Sequence, residues 1–450
     1  MWQTPEIGFD RDITAFLHET TLADLPDDVV AFGRRCLLDL LGVAAAGSVT
    51  PLARIIADHA IGQFAAGPDA SAPILFDGRS VSPAGAALAG GMTIDSIDAH
   101  DGHRLTKGHA GCGLLPSVLA MAAAEGIDDS ARVLASLVVG YEIATRAGIV
   151  LHATVADYHT SGAWVAVACA GLGSRLMGLD ETETAHALGI AEYHGPRSQM
   201  MRVIDHPTML KDGSGWGAMA GVSAAYLARD GFTGAPAISI TANEVADWWS
   251  DLGSTWLITE QYFKPHPVCR WAQPAVEAAL RLRAAHTIDP GDIVRVEVAT
   301  FHEGARLTVR HPANTEQAQY SLPFPLAAAL VRGALGATEV TGEALADPTI
   351  AAMANLVVIT EDDDHNARFP DERLARVTIE LADGSRLASP DTYASGDPHT
   401  ALSDEQIRHK FHALAEPVLG ADQADRIEAA VDDFGSGSPT AVLTDLLGGR

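Results

Sequence analysis

From about residue 13 to residue 230, apolar positions recur every three to four residues, the spacing that gives a helix one buried face. Leu134, Leu137, Val138 and Tyr141 follow the i, i+3, i+4, i+7 rule within this stretch. Residues 163–173 and 215–225 are dominated by Ala and Gly, which lets helices approach closely. The weakly polar runs 110–124 and 163–173 are too short or too rich in Gly and Ala to cross a bilayer, so they read as buried helices. Strand signals are scarce here, apart from the apolar run 72–76 ahead of the Asp77-Gly78 turn.

The period changes after about residue 265. Residues 293–301 alternate, with Val294, Val296 and Val298 on one face and Arg295 and Glu297 on the other, as in a half-buried strand. Residues 376–381 alternate through Val377, Ile379 and Leu381 and meet Asp383-Gly384, a strong hairpin signal. Helical patterns over 274–285 and 326–334 lie between these strands. From Ser403 the helical period returns behind a capping box formed with Gln406. The expected fold is mainly α with an α+β second domain. Residues 1–265 form a helical domain completed by 400–450, and residues 266–399 form the smaller α+β unit.

The chain's 450 residues, 47% of them apolar, suffice for two or three domains with a large core. A net charge of −28, from 58 acidic and 30 basic residues, repels nucleic acid and anionic membranes. An anionic substrate must therefore be held by a few placed cations. Residues 1–12 are polar and lack the apolar core of a signal peptide, so a cytoplasmic protein is expected. Its four cysteines (Cys36, Cys112, Cys169, Cys269) are far apart and are expected as free thiols.

The densest chemistry is the loop Asp95-Ser96-Ile97-Asp98-Ala99-His100-Asp101-Gly102-His103-Arg104-Leu105-Thr106-Lys107-Gly108-His109. Carboxylates, imidazoles and cations crowded beside apolar helices suit proton transfer on an anion, against the plainer reading of a solvated loop. The glycines on both sides favour a site. His159-Thr160-Ser161-Gly162 precedes a helix, where free N–H groups and the dipole can hold a carboxylate and His159 can act as base or donor. The alternative there is a plain N-cap. A third cluster runs from His194 through Arg197, Arg202 and His206 to Lys211-Asp212-Gly213. A fourth, Lys264 to Arg270, stands at the domain boundary, where ligand clefts form. No dinucleotide fingerprint, Walker loop or Gly-x-Ser-x-Gly elbow is present. Asp95, Asp98, His100, Asp101 and His103 are metal-ligand types, but Arg104 and Lys107 would oppose a cation, so no metal is expected.

Taken in order, these segments resemble the MmgE/PrpD family, which includes 2-methylcitrate dehydratase, cis-aconitate decarboxylase and iminodisuccinate epimerase. The acidic loop running to His109-Ala110-Gly111 and Leu115-Pro116 is similar to the family's Asp-x-Asp-Asp-Thr loop and its His-Pro-Gly. Gly140-Tyr141-Glu142, His159-Thr160-Ser161-Gly162, Met177-Gly178-Leu179 and Gly231-Phe232-Thr233-Gly234 also match. So do Lys264-Pro265-His266-Pro267, Gln319-Tyr320-Ser321-Leu322-Pro323 and the segment 398–411. The resemblance implies an all-helical bundle with an inserted α+β lid, a homodimer, a site between the domains, and no cofactor. It also implies removal or delivery of a proton α to a carboxylate, most simply as a dehydratase-like hydro-lyase. An epimerase or a decarboxylase is the alternative, and a helical scaffold is the reading outside enzymes.

Carried over, His109, His159, Asp95, Lys211 and Lys264 are the catalytic candidates, His109 or His159 as base or acid, with Arg104, His103, Ala99, Cys269 and Arg270 facing the substrate. This chain departs from the family pattern at Ile97-Asp98-Ala99, where a threonine is missing, and at Ala110, which replaces proline. Lys211 has altered spacing to Gly221, and Phe324 lacks a hydroxyl.

Overall fold

The computed structural model describes residues 11–67 and 70–448; residues 1–10, on which most of the signal-peptide reading rests, lie outside them. The fold is mainly α with an α+β second part. Helix Asp27–Gly47 runs through the middle of the helical body, with every residue from 36 to 47 buried. A helix apolar all round needs neighbours all round. Pro83–Asp95, Gly111–Ala124, Ser130–Thr154, Gly162–Met177 and Ser214–Arg229 build up the same body and share its core. Of the described helices, Ser130–Thr154 is by itself long and apolar enough to cross a membrane, and it is buried within the protein. Helices Gly162–Met177 and Ser214–Arg229 meet backbone to backbone. A Cβ added at Gly221 would stand 2.3 Å from the Ala166 carbonyl oxygen, and one at Gly217 would stand 2.4 Å from that of Gly162.

The chain returns to this body at its end. Ser403 caps helix Asp404–Leu419 reciprocally with Gln406, at 2.8 and 3.2 Å. Phe411 from that helix is buried against Gly42.

The α+β part is a five-stranded sheet. Strand Ile293–Thr300 pairs in parallel with Val357–Glu361 and antiparallel with Leu374–Leu381, which in turn pairs with Arg386–Ala388 and Thr392–Tyr393. Gly384 takes a φ of 87° in the expected turn. Helices Gln273–His286 and Pro323–Arg332 contribute to the core beside Val296, Val298, Val377 and Ile379. Val294 departs from the alternation read above and is 46% exposed. The register shifts between Ile293 and Arg295, and such a bulge puts one extra residue off the pleat. Met200, Val203 and Ile204, from the chain before residue 265, belong to this second core.

Candidate active site

Helix Pro83–Asp95 delivers Asp95 to the interior, and the loop that follows is buried rather than solvated. Asp95, Asp98, His100 and Asp101 are each at most 1% exposed. Asp98, Lys107 and Lys211 adopt φ of 52°, 51° and 50°, a left-handed conformation that non-glycine residues hold only when their surroundings impose it. Close approach is built in at Gly108, where a Cβ would stand 2.5 Å from Ser161 Oγ, and at Gly111, where it would stand 2.1 Å from the Tyr141 hydroxyl.

A closed ring of contacts joins three segments. The His109 backbone N–H donates to Ser161 Oγ at 2.9 Å, and the Ser161 hydroxyl donates to Asp212 Oδ2 at 2.5 Å. The Asp212 N–H donates to Asp95 Oδ2 at 3.2 Å, and Asp95 Oδ1 meets His100 Nε2 at 3.1 Å. The His100 ring packs 4.1 Å, centroid to centroid, from that of His109. His109 Nδ1 lies 2.5 Å from the Asp101 carbonyl oxygen, which only accepts. Nδ1 therefore carries the proton, and Nε2 keeps its lone pair. Lys264, fully buried, donates to Asp98 Oδ1 at 2.7 Å and to the Asp98 carbonyl at 3.1 Å. Lys211 donates to Gln319 Oε1 and sits 4.8 Å above the Tyr320 ring, while Gln319 Nε2 donates to the Ser96 carbonyl at 3.1 Å.

His109 and Asp212 of this ring, with Asp98 and Lys264, line one side of a cleft between the helical body and the α+β part. Arg270 and Arg373 line its other side. They flank the Tyr262 ring at 4.7 and 4.8 Å and share the carboxylate of Asp397, at 2.9 and 2.6 Å. Two guanidiniums on one carboxylate leave a positive charge in hand. Lys107, also lining the cleft, lies 4.3 Å over Tyr158 and has no carboxylate partner among the described residues. In a chain of net charge −28, this local surplus of cations is what an anionic ligand requires.

Burial alone would raise the Asp98 carboxyl, but Lys264 and Lys211 overcome it and hold it down at about 2. Burial would lower Lys264, but Asp98 and Tyr262 keep it raised. The pair is therefore ionised. Burial, then the cations and the neighbouring ring, pushes His109 and His100 well below the usual imidazole range, so both are neutral at pH 7. Burial drives Asp101 up to about 7 and raises both Asp95 and Asp212, with the charge of Asp95 adding to the rise at Asp212. Proton acceptors and held protons thus stand side by side.

Of the residues singled out in the sequence, His109, Asp95, Lys211 and Lys264 come together here, and Cys269 and Arg270 line the cleft. Arg104 reaches its rim, paired with Asp371 of the facing α+β part. Three candidates go elsewhere. His159 is partly exposed, with Nδ1 3.0 Å from the Asp157 carbonyl, and does not line the cleft. Its turn is tied to the segment after Arg197, the Thr160 N–H donating to the Ser198 carbonyl at 2.8 Å. His103 is buried away from the cleft, where its Nδ1 accepts from the Leu105 N–H. Ala99 turns its carbonyl to Lys410, outside the cleft. Nor is the start of helix Gly162–Met177 open to a ligand. The Gly162 N–H already donates to the Asp212 carbonyl at 3.1 Å, and the Gly213 backbone covers it.

Sequence reasoning gave no role to Asp212, Ser161, Tyr262, Tyr320 or Arg373. The first two lie within the second and third clusters of the sequence, and Tyr320 within a motif shared with the family; nothing local marks Tyr262 or Arg373. Asp98, His100 and His109 bring one donor atom each within 4.8 Å of one another, a donor set suited to a divalent cation. Neither Arg104 nor Lys107 stands in this trio, so the objection to a cation comes instead from Lys264, whose ammonium already neutralises Asp98.

The chain is 23% identical to the cis-aconitate decarboxylase-like protein oryM of Aspergillus oryzae, over 99% of this chain and 98% of that protein. It is 23% identical to the cis-aconitate decarboxylase of Mus musculus, over 98% and 93%, and 24% identical to that of Homo sapiens, over 96% and 93%. Residues 11–253 match the MmgE/PrpD N-terminal domain and residues 266–435 the MmgE/PrpD C-terminal domain. The chain belongs to the MmgE/PrpD family.

Proposed function

We propose that the protein is a lyase that generates and quenches a carbanion next to a carboxylate of a small di- or tricarboxylate. The observation that carries this reading is the neutral imidazole of His109, its Nδ1 proton fixed on the Asp101 carbonyl and its Nε2 free beside the Lys264 ammonium. A base needs a lone pair aimed at the substrate carbon. The charge that appears on the adjoining carboxylate needs a cation already in place. In this reading Lys264 on one side and Arg270 with Arg373 across the cleft hold the carboxylates at two ends, while Lys211, bound to Gln319, adds its charge from behind. Asp212, which lines the cleft and whose carboxyl is raised by burial and by the charge of Asp95, is the acid.

In a dehydration, the C–H proton passes to His109 Nε2, the C–O bond breaks, and the hydroxyl leaves as water with the proton of Asp212. In a decarboxylation, the carboxyl carbon leaves as carbon dioxide, and the electron pair left on the substrate takes up a proton from the same acid. The activity for which the relatives are named favours decarboxylation, while the paired base and acid suit dehydration equally. Proton NMR in deuterated water with citrate-, aconitate- and malate-type acids tests the proposal. Deuterium entering next to a carboxylate, with either an alkene or carbon dioxide as product, is expected. Full-length protein that exchanges no carbon-bound proton in any of these acids would end it. His109→Ala should lower kcat by about 100-fold or more, the scale at which a positioned general base contributes.

A further inference from the structure

The peptide units of Asp98 and Ala99 are held from opposite sides by two different lysines. Lys264 takes the Asp98 carbonyl at 3.1 Å from the cleft side. Lys410, on the C-terminal helix Asp404–Leu419, takes the Ala99 carbonyl at 2.6 Å from behind, and the same ammonium donates at 2.6 Å to Asp39 Oδ1 on helix Asp27–Gly47. Asp39 is 1% exposed, with Arg35 nearby as a weaker counter-charge. Behind Ala99 the loop borders an open hollow lined also by Lys410, Pro265, His266, Leu402 and His409. The Ala99 side chain packs into the helical core, and Lys410 ties down the carbonyl of the same residue. The loop needs such fixing, because Asp98 carries a φ of 52°. A residue in that region stays there only if its neighbours over-determine it.

We propose that Lys410 is a positioning residue. Anchored by Asp39, it clamps the Ala99 carbonyl and so holds Asp98 and His100 in register with Lys264 and His109. This rests on the active-site reading above for its link to turnover, though not for the clamp itself. Lys410 touches neither the cleft nor a substrate within it, and acts through the loop. Nothing in the sequence motif distinguishes it from a surface lysine of an amphipathic helix.

The test uses the full-length chain in three forms: Lys410→Met, Lys410→Arg, and the double variant Asp39→Asn with Lys410→Met. The double variant removes the pair without stranding a buried carboxylate, which keeps the experiment decisive if the single variant does not fold. Peptide-level hydrogen exchange over residues 95–109 should speed up at least tenfold in the double variant, with the other core helices unchanged. For turnover, kcat should fall ten- to a hundredfold with KM shifted less than threefold, and Lys410→Arg should recover most of it, since a guanidinium can span both acceptors. Unchanged exchange in the loop of the folded double variant would overturn the clamp, whatever the turnover. A loosened loop with unchanged kcat would overturn its role in positioning. Wild-type protein that turns over no carboxylic acid would instead sink the proposed function, leaving the exchange result to decide the clamp.

Discussion

His109 is useful as a base because it is uncharged, and it is uncharged because burial, His100 and Lys264 all oppose a second proton. The sign of the pH dependence follows. A base whose pKa is lowered keeps working as pH falls through 6.5 and fails only well below it. The proton kept by Asp212 in its pair with Asp95 is lost as pH rises, so the opposite limb belongs to these carboxyls. Measured from pH 4.5 to 8.5, kcat/KM should therefore show its acid limb well under 6.5, and Asp212→Asn should alter the alkaline limb while leaving the acid one in place. An acid limb at 6.5 would mean an imidazole open to solvent. Ser161 links the two groups through bonds of 2.9 and 2.5 Å. Ser161→Ala strands a buried N–H and a carboxyl, and should cost about 1–3 kcal/mol, spread between stability and the transition state, readable from urea unfolding and from kcat. These residues differ in how visible they were. Asp95 through His109 are contiguous, so their crowding shows in the sequence itself. Ser161 and Asp212 acquire meaning only when two helix starts are brought face to face. His159 has the right chemistry, but its turn is claimed by a backbone bond to Ser198 that no spacing rule reveals.

At the scale of elements, the site depends on the seam between helices Gly162–Met177 and Ser214–Arg229. Ser161 stands just before one and Asp212 just before the other, so the distance between the helix axes sets the Ser161–Asp212 bond. Gly217 lets the axes close, its missing Cβ only 2.4 Å from the Gly162 carbonyl oxygen. Gly217→Ala gains helix propensity of about 1 kcal/mol but must push backbone away from backbone, and overpacking of this kind costs about 1–3 kcal/mol. Chemical denaturation should show net destabilisation, and kcat should fall with it, because the hydrogen bond from Ser161 is stretched. A stabilised, fully active Gly217→Ala would show that the seam can widen without consequence. The Ala/Gly texture of 163–173 and 215–225 announced close packing without saying which helices meet. The two-residue period likewise announced strands Ile293–Thr300 and Leu374–Leu381. It could not announce the parallel partner Val357–Glu361, five residues long with only part of one face buried. A short run of that kind has no period to read.

Over the whole molecule, the cleft lies where the two cores meet, and side chains from one part are packed into the other. Met200, Val203 and Ile204 come from the helical side of the chain yet pack among Trp271, Phe301 and Phe369 in the core of the α+β part. Met200 and Ile204 also line the cleft, as do Trp271 and Phe369, so the residues that join the two parts are residues that shape the site. Loss of the α+β core would expose these side chains, and loss of the helical body would remove the backbone that presents them. The two parts are therefore expected to unfold together, although a chain of this size has room for separate transitions. Ile204, at 3% exposure, reports on this coupling. Truncation of a buried isoleucine costs about 2–5 kcal/mol. In calorimetry, Ile204→Ala should lower the midpoint of one shared transition, and because the same side chain walls the cleft, KM should rise. If the variant instead split the unfolding into two peaks, with the helical body melting where it does in the wild type, the joint would be a hinge. The cleft would then be free to open independently of either core.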